Sequence, residues 1–333
     1  MITMKDVALD ANVAVGTVSK VINGQHVSEK NKKKVEASVK KLGYQVNYYA
    51  RGLKTQRTYT IAAIVPEILN PFFASWVYYI EQALYRKGYK MLLCNTQGNS
   101  EKEDYYFKIA SQNKVDGIIC VSYRDTESYI SESIPIISLD RHFEKKISCI
   151  CSDNYHGGEI AAQKMISTGS RHLIYIRSGS TIPGETMKRG LGFRDYCKSK
   201  GVSCETLDLG DEYELGKERR EKFEQKIYDF LADNIKTGKY QYDGIYTSTD
   251  WLALIVLEQM RKLGIKVPEE AQLIGHDGLR MVNQKGYMLS TIVQPVKEMA
   301  EKSVELILKK IKGEEIDILT VLPVEFADGG TTR

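Results

Sequence analysis

Three stretches of this chain are written twice. VDGIICVS at 115–122 returns as YDGIYTST at 242–249, IPIISLDR at 134–141 as AQLIGHDG at 271–278, and TIAAIVP at 60–66 as HLIYIRSG at 172–179. The stretches are short, apolar and rich in β-branched residues. Amphipathic helical runs separate them, which is the pattern of strands in parallel α/β sheets. A chain that repeats such a plan builds two half-bodies, with two sheets facing each other across a crevice. Ligands of open parallel sheets sit beyond the carboxyl ends of the strands. The residues just past each strand are therefore the candidates: Phe72 and Phe73 of an NPFF loop, Ser122, Asp140 with Arg141, Ser178, Thr249 with Asp250, and Asp277. Carboxylates and an arginine hold vicinal hydroxyls, and aromatic rings cover the apolar face of a sugar, so the set suits a polyhydroxylated ligand. Stacking on Phe72 and Phe73 suits a purine or another non-sugar ligand equally well.

Composition narrows the class. At about 150 residues per domain, 333 residues allow two domains or three. No apolar run approaches the roughly 18 residues of a membrane-spanning helix. The opening MITMKDVALDANV places acids where a signal peptide needs an apolar core, so a cytoplasmic protein without membrane contact is expected. The six cysteines form no CxxC and have no histidine at ligand spacing, which fits reduced thiols and no metal. No glycine-rich phosphate loop or nucleophile-elbow motif is present. Asp250 and Asp277 are a conceivable carboxylate pair, but no nucleophile or metal set accompanies them. Catalytic residues, and hence an enzyme, are not expected, nor is a cofactor.

Charge is segregated along the chain. Residues 1–58 hold 11 Lys and Arg against 4 Asp and Glu, while the remainder holds 36 against 39. A basic head on a mildly acidic body is the layout of a tethered nucleic-acid-binding module. The head reads as three short helices. Met4–Ala11 places Val7, Ala8 and Ala11 on one face, and Asn12 follows at a tight turn. A second run from Val13 has Val18, Val21 and Ile22 apolar and ends at Asn23-Gly24. Ser28 stands as N-cap of a third helix, Val35, Val39 and Leu42 form its inner stripe, and Gly43 closes it. Helix, turn, helix and a supporting helix make a reader whose second helix enters the major groove. Val15, Gly16 and Lys20 then face the bases. Thr17, Ser19, Asn23 and the lysines at 30–34, Lys32 among them, face phosphates. A protein-docking module is the alternative for three such helices.

The stretch MKDVALDANVAVGTVSKVINGQHVSEKNKKKVEASVKKLGYQVNYYARGLK resembles the DNA-binding head of the lactose/galactose repressor (LacI/GalR) family, and the resemblance runs along essentially the whole chain. It rests further on NPFF, LDR, SDN with the following GG, RGLGF, STDWLA, IGHDG and STIVQP. The resemblance implies an α/β protein with an all-α helix-turn-helix head. Its body would resemble periplasmic sugar-binding proteins, with two parallel-sheet subdomains and the effector between them. Residues 1–58 would be the DNA-binding domain and 59–333 the effector-binding and dimerisation domain, with chain crossings between subdomains near 157–160 and 288–292.

The resemblance makes 47–54, NYYARGLK, a hinge helix that forms when two subunits place it in the minor groove. Alone it is too short to be a stable helix. Asn47 falls within it, Ala50 allows close pairing, and Leu53 matches the family's wedge between base steps. Phe72, Phe73, Ser122, Asp140, Arg189 of RGLGF, Tyr213, Asp250 and Asp277 are the implied effector-binding set. Thr249 stands where the family usually has an asparagine. The implied molecule is a repressor acting as a homodimer on a pseudo-palindromic double-stranded DNA operator, with a small-molecule effector, a sugar or sugar derivative. A protein co-regulator, and a sugar-binding module without a DNA role, are the other readings. Helices near 76–87 and 100–112 would supply the dimer contact, with Trp76, Tyr79, Ile80 and Leu84 as candidates. The closing GGTTR shows no heptads, so no tetramerising coiled coil is expected.

Overall fold

The computed structural model describes residues 2–22, 25–44, 57–112, 115–122, 134–143, 147–179, 183–210, 219–236, 239–280 and 286–333. The chain divides into two units, Met1–Thr58 and Tyr59–Arg333.

The first unit holds α1 (Met4–Ala11), α2 (Val15–Ile22) and α3 (Glu29–Leu42). Thr3 and Asp6 form a reciprocal capping box at the start of α1, and Asn12 ends that helix in the left-handed conformation at φ 49°. Val7, Ala8, Ala11, Val18, Val35 and Tyr44 make its small core, with Val21, Val39 and Leu42 packed against it. Helix α2 begins at Val15 rather than Val13, because Val13 turns inward to that core while the Ala14 carbonyl accepts from Thr17 and Val18. Ser28 occupies the N-cap of α3 without a side-chain capping bond, and Gly43 closes it at φ 62°. An ion pair of 2.6 Å from Lys41 to Asp10, and a hydrogen bond from Ser38 to the same carboxylate, tie α3 to α1.

The second unit contains the repeated plan. In chain order its first part runs β1 (Thr60–Val65), α4 (Pro71–Arg86), β2 (Lys90–Asn95), α5 (Ser100–Gln112), β3 (Gly117–Cys120), β4 (Ile136–Leu139) and β5 (Ser148–Ser152). There follow α6 (Asn154–Ser167), β6 (His172–Arg177), a 3₁₀ turn (Glu185–Met187), α7 (Lys188–Ser199), β7 (Ser203–Asp208), α8 (Arg219–Asp233), a two-residue-stranded ribbon β8–β9 (Ile235–Lys236, Lys239–Tyr240), β10 (Gly244–Thr247), α9 (Asp250–Lys262), β11 (Gln272–Asp277) and β12 (Thr291–Val293). Helix α10 (Val296–Ile311), β13 (Leu319–Leu322) and β14 (Glu325–Ala327) complete it.

The two main sheets have the orders β13-β5-β4-β3-β1-β2 and β14-β12-β11-β10-β6-β7. The three repeated stretches thus occupy equivalent places: β1 matches β6, β3 matches β10, and β4 matches β11. All neighbours run parallel except β12 with β14. Strands buried on both faces read as continuous apolar runs, which is why IAAIV, GIIC and LIYI carry no alternation.

Among the described residues the chain passes between the lobes three times. It crosses at Asp153 from β5 to α6, at Gln294–Pro295 from β12 to α10, and at Pro323–Val324 from β13 to β14. Two of these lie a few residues from the expected 157–160 and 288–292. The third was not foreseen, because β13 and β14 are edge strands of only four and three residues, too short to stand out.

One further expectation is corrected. Trp76, Ile80 and Leu84 of α4 are fully enclosed in their own lobe's core, and Tyr79 packs against it. Their spacing of four is the inner stripe of the helix, and burying each contributes roughly 1.5–3 kcal/mol. The aromatics that α4 exposes are Tyr78 and Tyr85, joined on the surface by Leu92 and Leu93 of β2 and Tyr105 of α5.

Candidate functional site

The carboxyl ends of the central strands converge on a cleft of about 850 Å³ between the lobes, open to solvent at its mouth. One wall comes from the first lobe: Asn70, Phe72 and Phe73 after β1, Ser122 after β3, and Asp140 and Arg141 after β4. The other comes from the second lobe: Arg177 and Ser178 at the end of β6, Thr186 and Met187 of the 3₁₀ turn, Arg189 of α7, Ser248 and Thr249 after β10, and Asp277 at the end of β11. Asn70 caps α4 by accepting from the Phe72 N–H at 3.0 Å, and Pro71 opens the helix. That turn presents the two phenyl rings together, edge to face at 5.4 Å.

The repeated plan places one aspartate on each wall. Asp140 and Asp277 are the equivalent residues of LDR and HDG, and both have positive φ, 57° and 142°. Aspartate tolerates the left-handed conformation of Asp140, whereas the φ of Asp277 is one that side chains rarely adopt, and such strain clusters at ligand sites. Asp140 donates its N–H to the Ile150 carbonyl, and Asp277's carboxylate accepts from Gln294 Nε2 at 2.8 Å. Burial pushes the Asp140 carboxyl up to about 6, against the pull of Arg189 and the Asn154 amide. Burial pushes Asp277 further, to about 8, and the neighbouring Asp250 charge adds to the rise while Arg189 opposes it.

Arg189 acts electrostatically on both. Its Nε donates to Asn154 Oδ1 at 2.6 Å and its Nη1 to the Ser248 carbonyl at 2.6 Å, with Asp277 at 3.8 Å. Burial works against its charge, but the Asp277 and Asp140 carboxylates hold its pKa above the ordinary value. The glycines of the RGLGF and GG strings explain how a helix carries it so deep. A Cβ on Gly158 would stand 2.0 Å from the Arg189 carbonyl oxygen, and one on Gly192 2.0 Å from the Tyr155 carbonyl oxygen. Helices α6 and α7 therefore touch backbone to backbone.

Gln294 was not among the sequence candidates. It sits at a crossing between lobes, accepts from Ser152 Oγ of the first lobe at 2.8 Å, and donates to Asp277 of the second. Its sequence signals were its place in STIVQP and its polarity inside an otherwise apolar strand-to-helix passage.

Of the eight effector candidates, Phe72, Phe73, Ser122, Asp140, Arg189 and Asp277 line the cleft. Asp250 does not. Its carboxylate turns away to accept from the Leu279 N–H at 2.7 Å and the Thr291 hydroxyl at 2.6 Å, so it braces the loop that carries Asp277. Thr249, the N-cap of α9, faces the cleft instead. Tyr213 lies outside the described residues.

On the head, α2 leaves Val15, Gly16 and Lys20 exposed, with open space around the Gly16 Cα. Thr17 and Ser19 are half-buried on its flanks, and Lys32 is exposed on α3. Asn23, Asn47, Ala50 and Leu53 lie outside the described residues. No helix among the described residues is long and apolar enough to cross a membrane.

A helix-turn-helix unit followed by a two-lobed body with a polar, aromatic-walled cleft defines a DNA-binding regulator that carries a small-molecule sensor. Comparison with known proteins gives the family. The model of bacterial regulatory proteins of the lacI family matches residues 3–47, and that of periplasmic binding proteins and the sugar binding domain of the LacI family matches residues 58–322. The chain belongs to the LacI family, whose members regulate transcription and are not enzymes. It is 35% identical over 328 residues to the sucrose operon repressor of Streptococcus mutans serotype c, covering 98% of both chains. A periplasmic binding protein/LacI transcriptional regulator from Alkaliphilus metalliredigens, solved in complex with D-xylulofuranose, is 29% identical with a TM-score of 0.70, over 82% of this chain and 99% of that one. The lac repressor dimer bound to operator and an anti-inducer shares the fold, with a TM-score of 0.82 at 20% identity over 99% of both chains.

Proposed function

We propose that this LacI-family repressor binds a pseudo-palindromic operator as a cytoplasmic homodimer, and that a ketofuranose or ketofuranosyl sugar in the cleft modulates its grip. The observation that carries the reading is the paired aspartates, Asp140 and Asp277, one from each wall of a cleft that Phe72 and Phe73 also line, with Gln294 bonded to Asp277 and Arg189 3.8 Å from it. A sugar whose hydroxyls bond both carboxylates touches both lobes at once. It therefore binds one lobe angle better than another, and a ligand shifts an equilibrium only by such a difference. The sugar ring supports the narrower choice: one relative represses a sucrose operon, another holds D-xylulofuranose, and sucrose itself contains a ketofuranosyl unit. Val15, Gly16 and Lys20 meet the base edges in this reading, while Thr17, Ser19, Asn23 and Lys32 hold phosphates, and Asn47, Ala50 and Leu53 form the hinge contact. The surface of Tyr78, Tyr85, Leu92 and Leu93 is the proposed seat of the second copy.

The test is a thermal-shift screen of the full chain with sucrose, D-fructose, D-xylulose, D-ribose, hypoxanthine and guanine. A ligand bound only by the folded state and present at 100 times its Kd stabilises by about 2.7 kcal/mol, a shift of several degrees. A rise with a ketose and none with the nucleobases supports the reading; a rise with a nucleobase alone contradicts it.

A further inference from the structure

We propose that Glu185 is a positioning residue that latches the second lobe's cleft wall onto the first lobe, and so sets how readily the cleft opens. The inference concerns the same cleft as the proposed regulation, but it rests on contacts between lobes and needs no ligand.

Glu185 opens the 3₁₀ turn that leads into α7, and its neighbours Gly184, Thr186 and Met187 line the cleft. The residue is 3% exposed, yet few of its contacts are with its own lobe. Its N–H donates to the Asp140 carbonyl at 2.9 Å, on the first lobe's wall. Its Oε1 accepts from His142 Nε2, in the loop after β4 of that lobe, and from Lys188 Nζ of its own lobe at 2.8 Å. Its Oε2 accepts from the Cys151 thiol of β5, again in the first lobe, at 3.6 Å. Burial raises the Glu185 carboxyl, but the hydrogen bonds from Lys188 and His142 outweigh it and hold the pKa below the ordinary value.

Three of the four contacts thus cross between lobes. A carboxylate buried among donors from both lobes gives a two-state element. With the lobes together its charge is satisfied, and with the lobes apart it returns to water with Lys188. The 183–187 wall moves with it, so cleft opening and loss of the latch are one event. Glu185, four residues before Arg189 of RGLGF, carries no sequence signal because the partners that define its role lie in the other lobe.

Cys151 supplies the readout. It is fully buried under Glu185, whereas Cys120 is equally buried in the core of the first lobe, on β3. Alkylation of each cysteine in the full chain, followed by mass spectrometry, therefore separates lobe opening from general loosening. His142→Ala removes one cross-lobe donor from a half-exposed side chain and leaves the Glu185 charge in place. Glu185→Ala removes every side-chain contact of the latch and leaves only the backbone N–H bond to the Asp140 carbonyl. Loss of a hydrogen bond to a charged group shifts an opening equilibrium by about tenfold or more, so both variants should alkylate at Cys151 at least about tenfold faster than the native chain, with Cys120 unchanged. Unchanged Cys151 rates in His142→Ala would overturn the proposal. So would Cys120 accelerating in step with Cys151, which marks global destabilisation. Either result leaves the sugar-sensing reading standing, and failure of every sugar to bind leaves the latch standing.

Discussion

Three aspartates that look alike on paper have two different duties. Asp140 and Asp277 face the cleft, while Asp250 is spent on the Leu279 N–H and the Thr291 hydroxyl. Replacing Asp250 with alanine leaves that buried N–H without its acceptor, so a loss of about 1–3 kcal/mol of stability is expected in denaturant unfolding. Replacing Asp277 with asparagine is expected instead to weaken sugar binding by about tenfold or more, read by calorimetry, because an amide in place of the carboxyl leaves a buried hydrogen bond to the ligand unmade. Asp277 also sets a pH dependence. A carboxyl raised to about 8 in the folded chain holds its proton more tightly there than in the unfolded chain, so stability falls as pH rises toward that value. Buried His276, held well below its ordinary pKa, is neutral in the folded chain throughout this range. The melting temperature of the unliganded protein should therefore drop between pH 7 and 8, and Asp277→Asn should flatten that drop. An equal drop in both proteins would show that another group causes it.

At the scale of elements, the close crossing of α6 and α7 is the feature most sensitive to a single methyl group. Gly192→Ala sets a Cβ against the Tyr155 carbonyl, and the two helices must separate. A loss of about 1–3 kcal/mol is expected from such overpacking, together with weaker sugar binding, because Arg189 moves with α7. On the head, Lys32→Ala should weaken DNA binding equally for all sequences and reduce the slope of log affinity against log salt by about 1, measured by anisotropy titration. A changed sequence preference instead would assign Lys32 to base reading. The elements also show what was legible in advance. Strand ends could be read because the echo of IPIISLDR in AQLIGHDG marks both strand and register, so the two cleft aspartates were found from text alone. Side-chain direction could not: Asp250 and Thr249 are adjacent at one helix start, and only the path of the loop after β11 decides which of them faces the cleft. Trp76, Tyr79, Ile80 and Leu84 of α4 could be divided between partner surface and own core only by the structure, since an apolar stripe does not say what covers it. The roles of Gln294 and Glu185 were not legible because each acts through a partner more than 40 residues away in the chain.

For the whole molecule, duplication explains why a sensor of this kind works. Two lobes of one plan bring equivalent strand ends to opposite sides of one cleft, so the same position in each copy supplies half of a ligand clamp. The chain crossings keep the lobes joined while leaving their angle free to change. The central claim is that occupancy of this cleft alters the hold of the basic head on DNA. The most direct test selects genomic fragments bound by the full chain, then measures the affinity of the preferred fragment with and without the sugar that raises the melting temperature. The account predicts a change of roughly 5- to 150-fold, the range of typical allosteric coupling, abolished by Asp277→Asn. A sugar that binds the cleft by calorimetry yet leaves fragment affinity unmoved would contradict it.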